Sequence, residues 1–359
     1  MSDTITLSNT MNILYLITGM GLGGAEKCVA DLADQFTQRG HNVHVIYMTG
    51  RLLTKPHSAA IKIYSLEMSR NPYSIMRAIL RYCIICHKAK PTVIHSHMYH
   101  ANIFSRLTRF LVPKVKLINT AHSCNEGGAL RMLAYNLTNC LCDTFTIVSQ
   151  AAKQSFVEKK AASNNQLIVV PNFIIQTYTK RNIQKRDKVN FLTAGTNNSA
   201  KDYPTLLRSI QILRELGVTN VHFTIVGTEV KKLLNLAQQL TITDMVSLEG
   251  YCNDLKDLMA KSDAYVSSSW FEGMPLAVGE AMSAGLPVVV TNAGGTSEWG
   301  MEDNWIVPIG RPNDLAQKIL QFISLDIESV QQISDKNRIT ISNLFSEAAI
   351  LPQWLSLYK

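Results

Sequence analysis

The chain has 359 residues, 46% hydrophobic and 17% charged, which is enough apolar material for two buried cores and suggests about two domains. It has no apolar run long enough to cross a membrane, and its opening MSDTITLSNT is polar, so neither a transmembrane helix nor a secretory signal is expected. The seven cysteines are odd in number and lack paired zinc-like spacings, which fits the reduced thiols of a cytoplasmic protein.

From the N-terminus, β-prone apolar runs alternate with helical patterns. Strands are expected at 12–17, 42–48, 92–95, 116–119, 144–148 and 167–170, with helices at 24–40, 73–90 and 101–111. Such alternation builds a parallel sheet covered by helices. Pro171-Asn172 closes this first domain, taken as residues 1–173. Residues 174–188 are mostly polar without clear periodicity and read as a linker. A second domain over 189–340 restarts the alternation, with strands at 189–194, 221–226, 264–266 and 286–290 and helices at 204–216, 255–261 and 276–284. A last helix is expected at 341–357, within a C-terminal segment 341–359. The fold class is α/β, with two Rossmann-like parallel-sheet domains. Such sheets take ligands beyond the carboxyl ends of their strands, so two of them facing across a cleft would hold the site there.

Charge divides unevenly. Residues 1–180 hold 19 Lys and Arg against 8 Asp and Glu, whereas residues 181–359 hold 16 against 19. A basic half suits an anionic partner. No RNA-binding or helix-turn-helix signature accompanies it, so nucleic acid is not expected. An anionic membrane surface, a phosphate-bearing acceptor and simple solubility remain as explanations. The pattern at 73–90, YSIMRAILRYCIICHKAK, mixes apolar residues with Arg77, Arg81 and Lys88, as a membrane-facing or a core-packing helix would.

Three local patterns invite a cofactor or metal. Gly19, Gly21 and Gly24 match the dinucleotide fingerprint after the first strand. That reading also needs a carboxylate at the end of the second strand, which here runs Ile46-Tyr47-Met48-Thr49-Gly50. His95, His97 and His100 lack an acidic partner nearby, and Cys83 and Cys86 lie inside a helical pattern without a second pair. No metal and no cofactor are expected.

The richest stretch is SSSWFEGMPLAVGEAMSAGLPVVVTNAGGTSE, residues 267–298. It reads strand, tight loop, helix, strand. Gly273 lets backbone approach a ligand closely, and Pro275 is tolerated in a first helical turn. The turn through Met274 and Leu276 then aims N–H groups and the positive helix end at a phosphate. Glu272 and Glu280 flank that anion seat and can accept hydroxyl hydrogens. Phosphate between hydroxyl-rich groups describes a nucleotide sugar.

The block Phe271-Glu272-Gly273-Met274-Pro275-Leu276, continued by Glu280-Ala281-Met282 and Gly285-Leu286-Pro287-Val288-Val289, resembles the signature of glycosyltransferase family 4, retaining enzymes of the GT-B fold. The resemblance implies that Glu272 contacts the donor sugar, that Glu280 holds the ribose, and that the backbone of 273–276 binds the diphosphate. Gly23-Gly24-Ala25-Glu26 is similar to a family segment near the donor phosphates, or its glycines serve only a tight turn. Gly195 and Lys201 match a family Gly and Lys at the phosphate site, while Thr196 stands where Arg is common. Lys201 would then stabilise the departing diphosphate. His122 matches a family histidine that contacts the donor sugar across the cleft. The resemblance also implies front-face retention and a last helix that returns to the first domain.

The expected activity is transfer of a sugar, of the hexosyl kind, from a nucleotide diphosphate sugar donor to an acceptor hydroxyl. The expected acceptor is a lipid-linked or polysaccharide intermediate of bacterial envelope synthesis, such as O-antigen or other lipopolysaccharide, capsule or exopolysaccharide. The expected location is cytoplasmic, or peripheral on the inner face of the membrane. A GT-B sugar-nucleotide epimerase and a non-catalytic sugar-nucleotide-binding protein are the alternatives.

Overall fold

The computed structural model describes residues 10–112, 114–175, 183–184, 187–252 and 255–359. The polar opening stretch 1–9 and most of the expected linker lie outside the described residues. The chain forms two compact units. Residues up to Val170 together with Leu351–Lys359 make one, and Pro171–Ile350 make the other.

The first unit follows the strand–helix alternation. Its order is β1 (Asn12–Ile17), α1 (Gly24–Gln38), β2 (Asn42–Tyr47), β3 (Lys62–Ser65), α2 (Pro72–Ala89), β4 (Val93–His97), α3 (Tyr99–Leu107), β5 (Lys116–Ala121), α4 (Ala129–Thr138), β6 (Thr144–Ile147), α5 (Gln150–Glu158) and β7 (Leu167–Val169). Among the described residues the sheet has seven strands, all parallel, in the order β3-β2-β1-β4-β5-β6-β7. Covered on both faces, its central strands are buried along their length rather than on alternate residues: every residue after Asn12 in β1 and every residue of β4 is buried, the latter including His95, Ser96 and His97. Capping explains where α2 begins. The Asn71 side chain accepts the Ser74 N–H at 2.7 Å, and Pro72 occupies a first-turn position.

The second unit repeats the plan with β8 (Val189–Ala194), α6 (Tyr203–Glu215), β9 (Val221–Val226), α7 (Leu234–Gln239), β10 (Val246–Glu249), α8 (Lys256–Lys261), β11 (Ala264–Ser267), α9 (Leu276–Ser283), β12 (Val288–Thr291), β13 (Ile306–Val307), α10 (Pro312–Ile323) and α11 (Ile327–Leu344). Its described strands form a parallel sheet in the order β10-β9-β8-β11-β12-β13. A core of Phe191, Leu206, Ile210, Phe223, Val266 and Ile319 fixes α6 and α10 to it.

In both sheets the strand order reverses next to the first strand of the unit. The reversal lies between β1 and β4 in the first and between β8 and β11 in the second. Loops leaving such a neighbouring pair diverge and open a crevice. The residues just beyond Ile17, His97, Ala194 and Ser267 therefore occupy the natural ligand positions of the two units.

The single helix expected at 341–357 is two. α11 ends at Leu344, and α12 (Glu347–Tyr358) starts after a break. At the break the Phe345 carbonyl accepts the Ile174 N–H at 2.8 Å, and Ser346 bridges Ile174. That long-range pairing consumes a carbonyl at the end of α11 and leaves no trace in local periodicity. Several elements, among them β3, α4, α5, β10 and α10, went unread because they are short or weakly patterned.

The end of α12 belongs to the first unit. The Tyr358 ring packs 5.0 Å from Phe36, and its hydroxyl meets His95 Nδ1 at 2.8 Å and the Tyr15 hydroxyl at 3.1 Å. All three polar groups are buried, so removing the shared hydroxyl leaves two groups short of a partner. Tyr358→Phe is expected to cost the first unit about 1–3 kcal/mol, read as a lower denaturant midpoint. An unchanged midpoint would show that α12 is held by packing alone.

Candidate active site

In the second unit, Lys201 and Glu272 come from the two loops that leave the reversal point. Lys201 Nζ lies 2.6 Å from Glu272 Oε1, and both side chains are largely but not fully covered. Ser269 donates to the same carboxylate oxygen at 2.7 Å. Burial works against the Lys201 charge, but the attraction of Glu272 outweighs it and the ammonium holds its proton more tightly than an ordinary lysine.

The path to this pair is fixed by local structure. Gly195 ends β8 at φ +157, and a Cβ there would lie 2.6 Å from Cε of Lys201, so the lysine stem crosses a position that only glycine leaves open. Asn198 Oδ1 accepts from the N–H groups of Ala200 and Lys201 and turns the chain back. The two loops are then tied together. The Trp270 N–H donates to the Ala200 carbonyl at 2.7 Å, and the Ser268 hydroxyl to the Lys201 carbonyl at 2.9 Å. Thr196 faces Thr228, whose hydroxyl donates to it at 2.8 Å.

The turn after Glu272 is held by its carbonyls. The Gly273 carbonyl accepts from Gly295 N at 3.1 Å, that of Met274 from Asn172 Nδ2 at 2.9 Å, and that of Pro275 from Trp299 Nε1 at 3.1 Å. Pro275 is the residue before α9 and Leu276 its first. By helix geometry the N–H groups of Leu276 and Ala277 have no intrahelical acceptor, whereas those of Val278 and Gly279 meet the Pro275 carbonyl at 3.2 and 3.4 Å, so with its carbonyls engaged this turn can serve an anion as a donor. Glu280 lies on α9, partly buried, about one turn beyond those donors. Gly279 admits the Trp299 ring, since a Cβ there would sit 2.7 Å from it.

Gly227, Ser269, Asn172 and Trp299 were not read from the sequence. Gly227 had a visible signal: it ends β9 as Gly195 ends β8. A Cβ on it would fall 2.0 Å from the Gly195 carbonyl oxygen. The other three act through tertiary contacts that no local pattern records.

In the first unit, the Gly19–Gly24 turn leads directly into α1, with Gly23 before the helix and Gly24 its first residue. The Met20 carbonyl accepts from Leu53 and Thr54 N–H groups, so the loop after β2 lies against this turn. His122 follows β5. Its Nε2 lies 2.9 Å from His97 Nδ1, and its N–H donates to Glu126 at 3.0 Å. Glu126 also accepts the Tyr135 hydroxyl. Between His97 and α3, Met98 adopts φ 72, ψ 157, a backbone region nearly reserved for glycine. Glu126 and Met98 are further members of this cluster that the sequence did not announce. His95 is engaged by Tyr358 and by Thr120, whose hydroxyl lies 2.6 Å from Nε2.

Burial lowers His95 and His97 well below the usual imidazole range and His122 to about 4. All three are neutral at pH 7, so His122 can offer hydrogen bonds rather than charge. The unfolded chain takes up protons near ~6.5 that the folded histidines refuse, so stability should fall as pH drops from ~6.5 toward 4. Glu126 acts in the opposite sense. Burial raises its carboxyl to about 7, so the folded state keeps a proton that the unfolded chain loses at ~4.3, and its cost grows up to pH 7. Glu126→Gln should therefore stabilise the protein more at pH 8 than at pH 5, measured by urea unfolding. Equal effects at the two pH values would contradict the protonated carboxyl.

Two family models cover most of the chain. The one described as Glycosyltransferase Family 4 matches residues 22–176, and the one described as Glycosyl transferases group 1 matches residues 175–340. An uncharacterized glycosyltransferase of Haemophilus influenzae is 26% identical over 353 residues, 95% of this chain and 98% of its own. The capsular polysaccharide biosynthesis glycosyltransferase CapH of Staphylococcus aureus is 23% identical over 80% of this chain and 83% of its own. Among solved structures, Anabaena Alr3699/HepE in complex with UDP and glucose superposes with a TM-score of 0.80 at 18% identity, over 96% of this chain and 98% of that one. With both units matched in chain order and the same architecture throughout, the chain belongs to glycosyltransferase family 4 and has the GT-B fold.

Proposed function

We propose that this glycosyltransferase is a retaining enzyme that moves a sugar from a nucleoside diphosphate sugar to a hydroxyl of a lipid-linked or polysaccharide intermediate of the bacterial envelope. The observation that carries this reading is the Lys201–Glu272 pair beside the donor-presenting turn of α9. A cation, the leading N–H groups of α9 and two carboxylates, Glu272 and Glu280, match a diphosphate between a sugar and a ribose. The UDP and glucose bound in HepE support a uridine diphosphate sugar as the first donor to try. The name of CapH supports a polysaccharide product.

In the proposed reaction the bond from the anomeric carbon to the diphosphate oxygen breaks, and its electron pair leaves with the diphosphate. The acceptor oxygen bonds to the same face of that carbon and passes its proton to the departing phosphate oxygen. Lys201 and the α9 N–H groups offset the charge that builds on the leaving group, the task a metal performs elsewhere. Glu272 orients the sugar hydroxyls, and Glu280 accepts from the ribose. Gly195 and Thr196 of the second unit are assigned to the phosphate side, and of the first unit's residues the family resemblance assigns His122 to the donor sugar and the Gly23-Gly24 turn to the donor phosphates and the acceptor. No described helix is long and apolar enough to cross a membrane; for a lipid-linked acceptor the location proposed here is peripheral on the membrane surface.

Lys201→Ala should raise the barrier for transfer by about 2–4 kcal/mol, an effect on turnover at saturating donor separate from any stability lost by leaving Glu272 without its cation, which a denaturant midpoint reads. Release of nucleoside diphosphate in the presence of a membrane-lipid extract is the readout, and near-native turnover at saturating donor would remove Lys201 from the mechanism. Glu280→Ala should weaken free UDP by about 1.5–3 kcal/mol, measured by calorimetry, because the ribose loses a charged acceptor. UDP affinity untouched by that change would place the ribose elsewhere.

A further inference from the structure

The positive charge of the first unit is concentrated. Residues 68–142 contain ten Lys and Arg and a single carboxylate, Glu126, so this one stretch exceeds the +8 of the whole chain. Glu126 is partly buried and bonded to Tyr135 and His122, so it neutralises little of the outer surface. The stretch includes α2 to α4; within it Arg106 is buried, and two carboxylates just outside it offset part of the charge, Glu67 pairing with Arg77 and Arg81 and Asp143 with Arg109.

The same stretch carries apolar side chains that the core does not use. The sheet-facing side of α2 is buried through Ala78, Tyr82 and Cys86, and α3, which packs next to α4, is buried through Ala101, Asn102, Phe104, Ser105 and Arg106. The outer side of α2 presents Tyr73, Met76, Leu80 and Ile84, spaced three or four residues apart along one face. α4 does the same with Leu130, Leu133 and Leu137, while its Met132 and Tyr135 face inward. Between them, just after α3, Phe110 is 80% exposed and Leu130 at the start of α4 is 83% exposed. Scattered exposed leucines need no explanation, but two amphipathic helices with solvent-facing apolar stripes do. Basic side chains lie in the same stretch: Lys88 at the end of α2, Lys114 before β5 and Arg131 on α4, with Arg77 and Arg81 on α2 both paired to Glu67.

We propose that the outer face of α2 and α4, with Phe110, docks on the surface of an anionic lipid bilayer. Apolar side chains insert into the headgroup region while the cations of the stretch meet lipid phosphates. A second copy of the chain fits poorly, because a symmetric contact would press this net positive stretch against itself. Nucleic acid fits poorly as well, because the exposed apolar residues are mostly aliphatic and offer little for bases to stack on. The proposal deepens the peripheral location given above, and its test reads lipid binding rather than turnover, so either can fail without the other.

The experiment is co-sedimentation of the whole protein with vesicles of phosphatidylcholine, alone or with about one-third phosphatidylglycerol. Binding is expected with the mixed vesicles, little with phosphatidylcholine alone, and a steep loss as salt rises. Leu133→Asp with Leu137→Asp, and separately Lys88→Glu with Lys114→Glu, should each reduce partitioning by roughly tenfold or more. These side chains are exposed, and circular dichroism and UDP binding, which involves the other unit, check that the variants fold. No preference for anionic vesicles, or binding indifferent to both pairs of substitutions, overturns the proposal. So does self-association in the ultracentrifuge that the leucine substitutions abolish, or retention on RNA in preference to vesicles.

Discussion

The second unit is organised around one charged contact, Lys201 with Glu272 at 2.6 Å. Two largely covered charges are costly unless they are paired and hydrogen-bonded. The surrounding features follow from the need to bring them together. Gly195 opens a lane for the lysine stem, Gly227 lets the next loop pass behind Gly195, and Asn198 turns the chain back. Ser269 then satisfies the carboxylate from the other side. On the proposed mechanism the pair is also a resting state. The ammonium is kept charged by Glu272 and shares its donors with the diphosphate when the nucleotide sugar arrives.

The turn at 273–275 complements this pair by orientation rather than charge. With its three carbonyls held by Asn172 and by Gly295 and Trp299 of one neighbouring turn, rotation of these peptides to offer oxygen to an anion would break bonds from two separate segments. Preorganisation of this kind costs nothing at the moment of reaction, because folding has already fixed the dipoles. The neutral histidines of the first unit are a different sort of site. They are held by burial and by contact: His122 is bonded to His97, whose ring packs 4.0 Å from that of His95, and His95 is bonded to Tyr358, so the setting of His97 and His122 depends on α12 as well as on β4 and β5.

Much of this was legible from the sequence because the decisive signals were local. Strand-length apolar runs separated by helical patterns gave the two sheets, and Glu272, Gly273 and Glu280 stand in an order that only a strand–loop–helix can use. Lys201 could be placed because it follows a strand end within one short loop. What stayed hidden depends on distant partners. Asn172 reaches the Met274 carbonyl from about a hundred positions away, the Ile174 contact breaks the last helix at Phe345, and the strain at Met98 is a property of its packing. The raising of the Glu126 carboxyl to about 7 likewise comes from burial, only partly offset by its bond from Tyr135, which the sequence around it does not encode. Thr196 shows the limit of motif reading: a position where the family often has Arg is occupied here by a hydroxyl already bonded to Thr228.

The central claim is that the Lys201–Glu272 pair divides its work between the diphosphate and the sugar. Calorimetric titration of UDP, which has no sugar, into wild type, Lys201→Ala and Glu272→Gln tests it most directly. Loss of a charge-assisted contact to phosphate should weaken UDP by roughly tenfold or more in Lys201→Ala. Glu272→Gln should bind UDP at least as well as wild type, because the ammonium is released from its partner. Equal weakening in both variants, or UDP binding indifferent to Lys201, would contradict the account.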